Sequence, residues 1–332
     1  MDALARTMSD PRPAHPPRSL EPLPPAVAGR PRHGLDWSPP AKYEVRRVLG
    51  TGGMGTVLLA RDRNLGRLVA LKVLLTQCSD YLERLRSEAR LLARLEHPAI
   101  VRVHDLDVHD GRLFLAMEYV PGGSLALARL EPEPLVRSVR GIVEALAHAH
   151  RQGVVHRDIK PENILLFGEK SRVASGRSPA QLSDFGLALG PKEGSEALRR
   201  AIVGTPLTMS PEQVRGEAPG PATDQFSFGT TLYRKLTGRW PFPGRSVDDV
   251  FDAIQERDPE PLNGTPRRLG GIVLRTLEKD PADRFGSMEE LGRALDRFLL
   301  SRSLFSFARN PFRRSSDSAE PRRPRIHPED LS

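Results

Sequence analysis

Four polar side chains, His156, Asp158, Lys160 and Asn163, stand close together in the stretch VVHRDIKPEN from Val154 to Asn163. Apolar Val154 and Val155 precede them, and Ile164, Leu165 and Leu166 follow. A solvated face explains one or two such residues, but two β-type apolar runs this near predict a loop held between buried strands. In extended backbone, residues i and i+2 point the same way, so Asp158 and Lys160 face one pocket while Ile159 turns inward. Pro161 blocks helix formation and keeps the loop open. A carboxylate that accepts a proton, beside an ammonium that offsets negative charge, is the chemistry this pair of residue types offers.

The segment resembles the catalytic loop of eukaryotic-type serine/threonine protein kinases, where His-Arg-Asp is followed by Asn five residues after the Asp. The resemblance implies that Asp158 accepts the proton of a substrate serine or threonine hydroxyl, while Lys160 neutralises charge developing at the γ-phosphate of ATP. Lys160, two residues past Asp158, marks the serine/threonine form of the loop as opposed to the tyrosine-directed one.

The elements that must position this loop begin near Tyr43, where YEVRRVLG runs into Gly50-Thr51-Gly52-Gly53-Met54-Gly55-Thr56-Val57. Glycines at 50, 52 and 55 fit G-x-G-x-x-G, a pattern shared with dinucleotide-binding folds. Those folds need a helix straight after the glycines, whereas Val57 to Arg61 and Arg67 to Val73 read as two strands joined by an Asn64-Leu65-Gly66 turn. A Walker A loop is excluded because Thr56, not Lys, follows Gly55. The glycines therefore sit at a hairpin tip, where main-chain amides can approach a triphosphate. Val69-Ala70-Leu71-Lys72 is similar to the kinase V-A-I-K, which places Lys72 on the α and β phosphates and pairs it with Glu88 of the next helix. At about 4 Å and an effective dielectric near 20, such a pair attracts by roughly 4 kcal/mol before desolvation, enough to fix a side chain. That helix, from about Tyr81 to Leu95, has apolar residues at 82, 85, 89, 92 and 95 and stops before His97-Pro98, with His97 as a structural cap.

Val101 to Val108 and Arg112 to Val120 read as an antiparallel pair turned at Asp110-Gly111, completing five strands. The segment from Met117 to Leu125 resembles the interlobe hinge, with Met117 guarding the adenine pocket and the main chain of Glu118 and Val120 bonding the base. Residues 135–152 predict a helix with Val136, Val139, Val143, Leu146 and His150 on one stripe, His150 as a core histidine, and Gly153 as the stop. Asp184-Phe185-Gly186 is similar to the magnesium-binding D-F-G, Asp184 sharing the metal with Asn163 and Phe185 packing on His156 and Leu92. GEKSRVASGRSPA, between Asn163 and Asp184, is read as a surface excursion. Taken together, the resemblance assigns nucleotide contacts to Gly50, Thr51, Gly52, Gly53, Met54, Gly55, Val57, Ala70, Lys72, Met117, Glu118, Val120, Asn163, Leu165 and Asp184. It assigns catalysis to Asp158, Lys160, Lys72 and Glu88, and metal contacts to Asn163 and Asp184. The implied cofactors are ATP and Mg2+, with Mn2+ as an alternative.

Gly204-Thr205-Pro206 and Ser210-Pro211-Glu212 resemble the substrate-docking loop and A-P-E, Ser replacing the usual Ala. Glu212 is expected to pair with Arg284 of DPADRF, and Asp224 to brace the catalytic-loop backbone. Arg157 before the catalytic Asp implies control by a phosphorylated activation loop. Yet the stretch ahead of Gly204 offers only Ser195, with Arg199, Arg200 and Ala201 at the customary site, so activity is expected to be constitutive or controlled from elsewhere.

Among the 332 residues, 50 basic against 42 acidic side chains give a net charge of +8, which suits a phosphate-bearing ligand or a solvated surface and does not argue for nucleic acid. The lone cysteine, Cys78, permits no intrachain disulfide and points to the cytoplasm. No run reaches the roughly 18 apolar residues of a membrane span, and the proline-rich start lacks the apolar core of a secretory signal. Residues 1–40, rich in Pro and Arg, read as a disordered arm, and 301–332 as a basic disordered tail whose Ser315, Ser316 and Ser318 are candidate autophosphorylation sites. Either end could alternatively dock a partner. The expected fold is α+β and bilobal, protein kinase-like: a five-stranded antiparallel lobe with one main helix (43–120), then a larger helical lobe (121–300). A non-catalytic scaffold and a small-molecule phosphotransferase are the alternatives. The survival of Lys72, Asp158, Asn163 and Asp184 together argues against the first, and the docking-loop match against the second.

Overall fold

The computed structural model describes residues 37–52, 55–74, 95–168, 178–185 and 206–308. Five antiparallel strands form the first lobe: β1 (Tyr43–Gly52), β2 (Gly55–Asp62), β3 (Arg67–Leu74), β4 (Val103–His109) and β5 (Arg112–Glu118), in the order β1-β2-β3-β5-β4. Their turns follow from local chemistry. Asp62 Oδ1 accepts from the N–H groups of Asn64 and Leu65 between β2 and β3. Asp110 and Gly111 both take positive φ, 50° and 68°, which matches the twist of a two-residue hairpin between β4 and β5.

The period of two then sorts the side chains. On β3, Val69, Leu71 and Val73 join Trp37, Tyr43, Leu58, Ala60, Phe114 and Ala116 in a core on the outer face of the sheet. Ala70, Lys72 and Leu74 lie on the other face, with Leu113, Leu115 and Met117 of β5. Trp37 falls within the range assigned to the arm, yet it is only 3% exposed and its Nε1 donates to the His109 carbonyl at 2.7 Å. The helix expected from Tyr81 lies outside the described residues, apart from its last position, Leu95, which is buried.

The second lobe is helical: α1 (Pro132–Arg151), α2 (Pro211–Val214), α3 (Pro221–Thr237), α4 (Val247–Glu256), α5 (Arg267–Thr276) and α6 (Met288–Ala308), with the short pair β6 (Ile164–Leu166) and β7 (Ala180–Leu182). The expected stripe on α1, Val136, Val139, Val143 and Leu146, is buried against this lobe's core. The helix starts three residues earlier than its periodicity suggests, because Pro132 suits the first turn, where its missing N–H costs nothing. Gly153, at φ 73°, closes α1: its N–H donates to the His150 carbonyl and that of Val154 to Ala149. Two local expectations are corrected. Val154 and Val155 are not a strand, since Val154 is spent on closing the helix. Pro161 does not merely hold the loop open but opens a 3-10 turn over Pro161–Asn163.

Candidate active site

The loop after α1 is built around a carboxylate from α3. Asp224, fully buried, accepts from the N–H of His156 at 2.8 Å, the N–H of Arg157 at 2.9 Å and the Nε2 of His150 at 2.7 Å. The expected brace is present, and His150 is the satisfied core histidine its position suggested. Arg157 is held with φ at 70°, in the left-handed region that costs a non-glycine residue roughly 1–3 kcal/mol and persists only where surroundings enforce it. Asp158 donates its N–H to Nδ1 of His156 at 3.2 Å, which makes Nε2 the protonated nitrogen of that ring. That Nε2 then donates to the Ser183 carbonyl at 2.9 Å.

Ile159 is fully buried, while the side chains of Asp158 and Lys160 meet: Lys160 Nζ donates to Asp158 Oδ2 at 2.7 Å. The Asn163 amide donates to the Asp158 carbonyl at 2.8 Å and to its Oδ2 at 3.1 Å. Two donors thus share one carboxylate oxygen. Among the described residues nothing donates to Asp158 Oδ1, the oxygen left to accept a proton, or to Asn163 Oδ1.

Strand pairing brings in the next group. Ile164 stands opposite Leu182, so Asn163 and Ser183 adjoin, and Ser183 donates to the Asn163 carbonyl from its N–H at 2.9 Å and its Oγ at 3.1 Å. Asp184 follows, also left-handed, at φ 63°. Its Oδ1 meets Lys72 Nζ at 2.8 Å across the lobe boundary, the lysine being almost wholly buried. Lys72 was expected to pair with Glu88, which lies outside the described residues. Phe185 packs on His156 with centroids 4.5 Å apart. Its expected second contact, Leu92, is likewise outside them.

Above this polar floor the inner face of the sheet forms an apolar roof. Ala70, Met117 and Val120 share a cluster with half-buried Leu49 and Val57 of the first lobe and Leu165 of β6, so both lobes wall one cleft. Val120 is buried, and among the described residues its main chain has no hydrogen-bond partner. A buried, unsatisfied peptide at a cleft mouth fits a ligand with donors and acceptors on one edge. The Glu118 N–H is given to the Arg102 carbonyl. At the rim, a Cβ on Gly50 or Gly52 would meet nothing within 4 Å, so packing does not require glycine there. Gly55 differs: at φ 149° its Cβ would fall 2.1 Å from the Val73 carbonyl oxygen, so the close pairing of β2 with β3 itself requires glycine. Thr51 is the penultimate residue of β1, and Gly53 and Met54 lie outside the described residues. Behind Met117, a cavity lined by Leu95, Val101, Leu115, Leu182, Asp184 and Phe185 reaches the ion pair from the rear.

The protein kinase domain profile matches residues 43–294. The chain belongs to the protein kinase family. It is 37% identical over 267 residues to the serine/threonine-protein kinase PknJ of Mycobacterium tuberculosis, covering 76% of this chain and 45% of that one. It is 34% identical over 262 residues to PrkC of Bacillus subtilis, covering 75% and 39%. The crystal structure of the Mycobacterium tuberculosis PknI kinase domain superposes with a TM-score of 0.57 at 30% identity, over 77% of this chain and 96% of that one. The chain therefore spans less than half the length of the PknJ and PrkC relatives. Among its described residues no helix is long and apolar enough to cross a membrane.

In this kinase chain, the segment that follows the Asp184 region is described again from Pro206. Ser210 caps α2, and Glu212 meets Arg284 at 2.9 and 3.0 Å, with Thr223 Oγ1 as a further donor. Burial pushes the Glu212 carboxyl up, but hydrogen bonds from Arg284 and its charge outweigh that and hold it below the ordinary carboxylate range. The expected pair is present and both partners are buried. Gly204, Thr205, Ser195, Arg199, Arg200, Ala201 and Cys78, with residues 1–36 and the tail from 309, lie outside the described residues. Gln213, which sequence reasoning passed over, turns its side chain toward Arg157. Its signal was available as Ser210-x-x-Gln213, a capping box.

Proposed function

We propose that this chain is a serine/threonine protein kinase, transferring the γ-phosphate of ATP to serine or threonine hydroxyls of protein substrates, itself included. The observation that carries the reading is the convergence of Lys72, Asp158, Asn163 and Asp184, from both lobes, on the floor of one apolar-roofed cleft. In this reading the main chain of Glu118 and Val120 binds the adenine edge between Ala70, Val57, Met117 and Leu165, and the amides of the glycine hairpin hold the phosphates. Lys72 binds the α and β phosphates, oriented by Asp184 and by Glu88. Asp158 Oδ1 takes the substrate hydroxyl proton, while Lys160, already on Oδ2, keeps the carboxylate turned and offsets charge at the γ-phosphate.

One carboxylate and one amide oxygen, Asp184 and Asn163 Oδ1, suit a hard divalent cation that keeps waters and phosphate oxygens as its other ligands. Magnesium there, or manganese, would supply charge compensation on the phosphates. The lone cysteine supports a cytoplasmic setting.

The test is transfer of label from γ-labelled ATP to a generic basic protein by the purified chain. Asp158→Asn is expected to lower kcat by about 10²- to 10⁴-fold, the range for removing a general base. An Asp158→Asn enzyme as fast as the parent, or a parent that labels nothing, would remove the assignment.

A further inference from the structure

We infer that Gln213 is a positioning residue for phosphoryl transfer: it fixes the peptide plane joining Arg157 to Asp158 and so couples the turn that ends the docking segment to the base. This rests on the kinase reading above. Three successive peptide planes carry the backbone into Asp158. Asp224 holds the first two through the N–H groups of His156 and Arg157. The third is held at both ends. Its carbonyl, that of Arg157, accepts from Gln213 Nε2 at 3.2 Å, and its N–H, that of Asp158, donates to His156 Nδ1 at 3.2 Å. Because a peptide is planar, setting its carbonyl direction also sets the direction of the N–Cα bond that carries Asp158. Rotating this third plane changes ψ of Arg157 and φ of Asp158, the torsions that aim the Asp158 side chain, whereas the left-handed φ of 70° at Arg157 turns on the second plane, which Asp224 holds.

The Gln213 amide cannot simply turn over. Its Oε1 accepts from the Ser210 N–H at 3.0 Å and from Ser210 Oγ at 3.4 Å, so a flipped amide would set donor against donor there and oxygen against oxygen at Arg157. Ser210 in turn ends the stretch from Pro206, in which the Thr208 carbonyl accepts from Ser227 Oγ of α3 at 2.7 Å. Order in the segment that would receive the substrate and orientation of the base therefore share one side chain.

Gln213→Glu separates the two contacts. It keeps shape and the acceptor for the Ser210 N–H but removes the donor to Arg157 O. The expected result is a fall in kcat by about 10- to 100-fold, with KM for ATP and the melting temperature near the parent's. Ser210→Ala, which trims the cap and leaves the Arg157 contact, is expected to change kcat much less. Gln213→Met, which removes the donor without adding charge, is expected to follow Gln213→Glu and is read in its place if the glutamate variant does not fold. Parent kcat in Gln213→Glu, or an equal loss in Ser210→Ala, would overturn the inference. Loss in Asp158→Asn without loss in Gln213→Glu removes this inference alone, whereas an unaffected Asp158→Asn removes the kinase reading beneath it.

Discussion

Lys279 shows how one side chain can be pulled two ways. Its Nζ donates to the carbonyls of Ile254 at 2.7 Å and Ala253 at 3.4 Å, at the C-terminal end of α4, and lies 3.8 Å from the centre of the Phe242 ring. The helix end and the ring face both favour an ammonium. Burial opposes it and prevails, helped by the charge of Arg284 and resisted by Asp258, lowering the pKa from 10.5 to about 8. Below about pH 8 the folded and unfolded chains both hold this proton, and the burial penalty is complete. Between about 8 and 10.5 only the unfolded chain holds it, so the site's contribution to stability rises with pH. Urea unfolding of parent and Lys279→Met from pH 7 to 10 should show the difference moving in the parent's favour as pH rises. A difference independent of pH would mean the amine is not desolvated.

Where helices cross, contact distance decides between opposing effects. A Cβ on Gly229 of α3 would fall 1.9 Å from Thr276 Oγ1 and 2.8 Å from its Cβ, and Thr276 is tied by donating to the Val273 carbonyl at 2.6 Å. Helix propensity alone predicts that Gly229→Ala stabilises by about 1 kcal/mol. Overpacking between α3 and α5 costs roughly 1–3 kcal/mol and should win. A net loss on urea unfolding is expected, and a more stable variant would show that α5 yields freely. The consequence reaches the site, because α3 also carries Asp224 under the catalytic-loop backbone.

Across the whole molecule, the two faces of the five-stranded sheet divide the work. The inner face roofs the cleft and supplies Lys72, while the outer face is closed by Trp37, set against Phe114 with centroids 5.9 Å apart. Trp37→Ala should cost about 3–5 kcal/mol, the range for emptying a large aromatic site. Thermal unfolding measures it, and a melting temperature equal to the parent's would place the ring outside the core. Because Trp37 precedes β1 and bonds the β4–β5 turn through His109, the ordered unit begins before the first strand.

What the sequence alone determined was local or ordinal. Alternation set the five strands, an apolar stripe set α1, Asp110-Gly111 set a turn, and the order of motifs set which residues should meet. The long-range contacts of Asp224 and of Glu212 with Arg284 were expected only through the family resemblance that those motifs carry. Tertiary structure alone decided that Lys72 meets Asp184, since a lysine on a strand face carries no mark of which carboxylate it will reach. It also decided the left-handed backbone at Arg157 and Asp184, which no residue type there favours as glycine would and which long-range hydrogen bonds hold. Trp37 could not be placed in the core from composition, because the proline-rich residues before it mask a single buried ring. Side-chain period and turn chemistry act within a few residues. Partner choice among polar groups depends on distances that exist only once the lobes have packed.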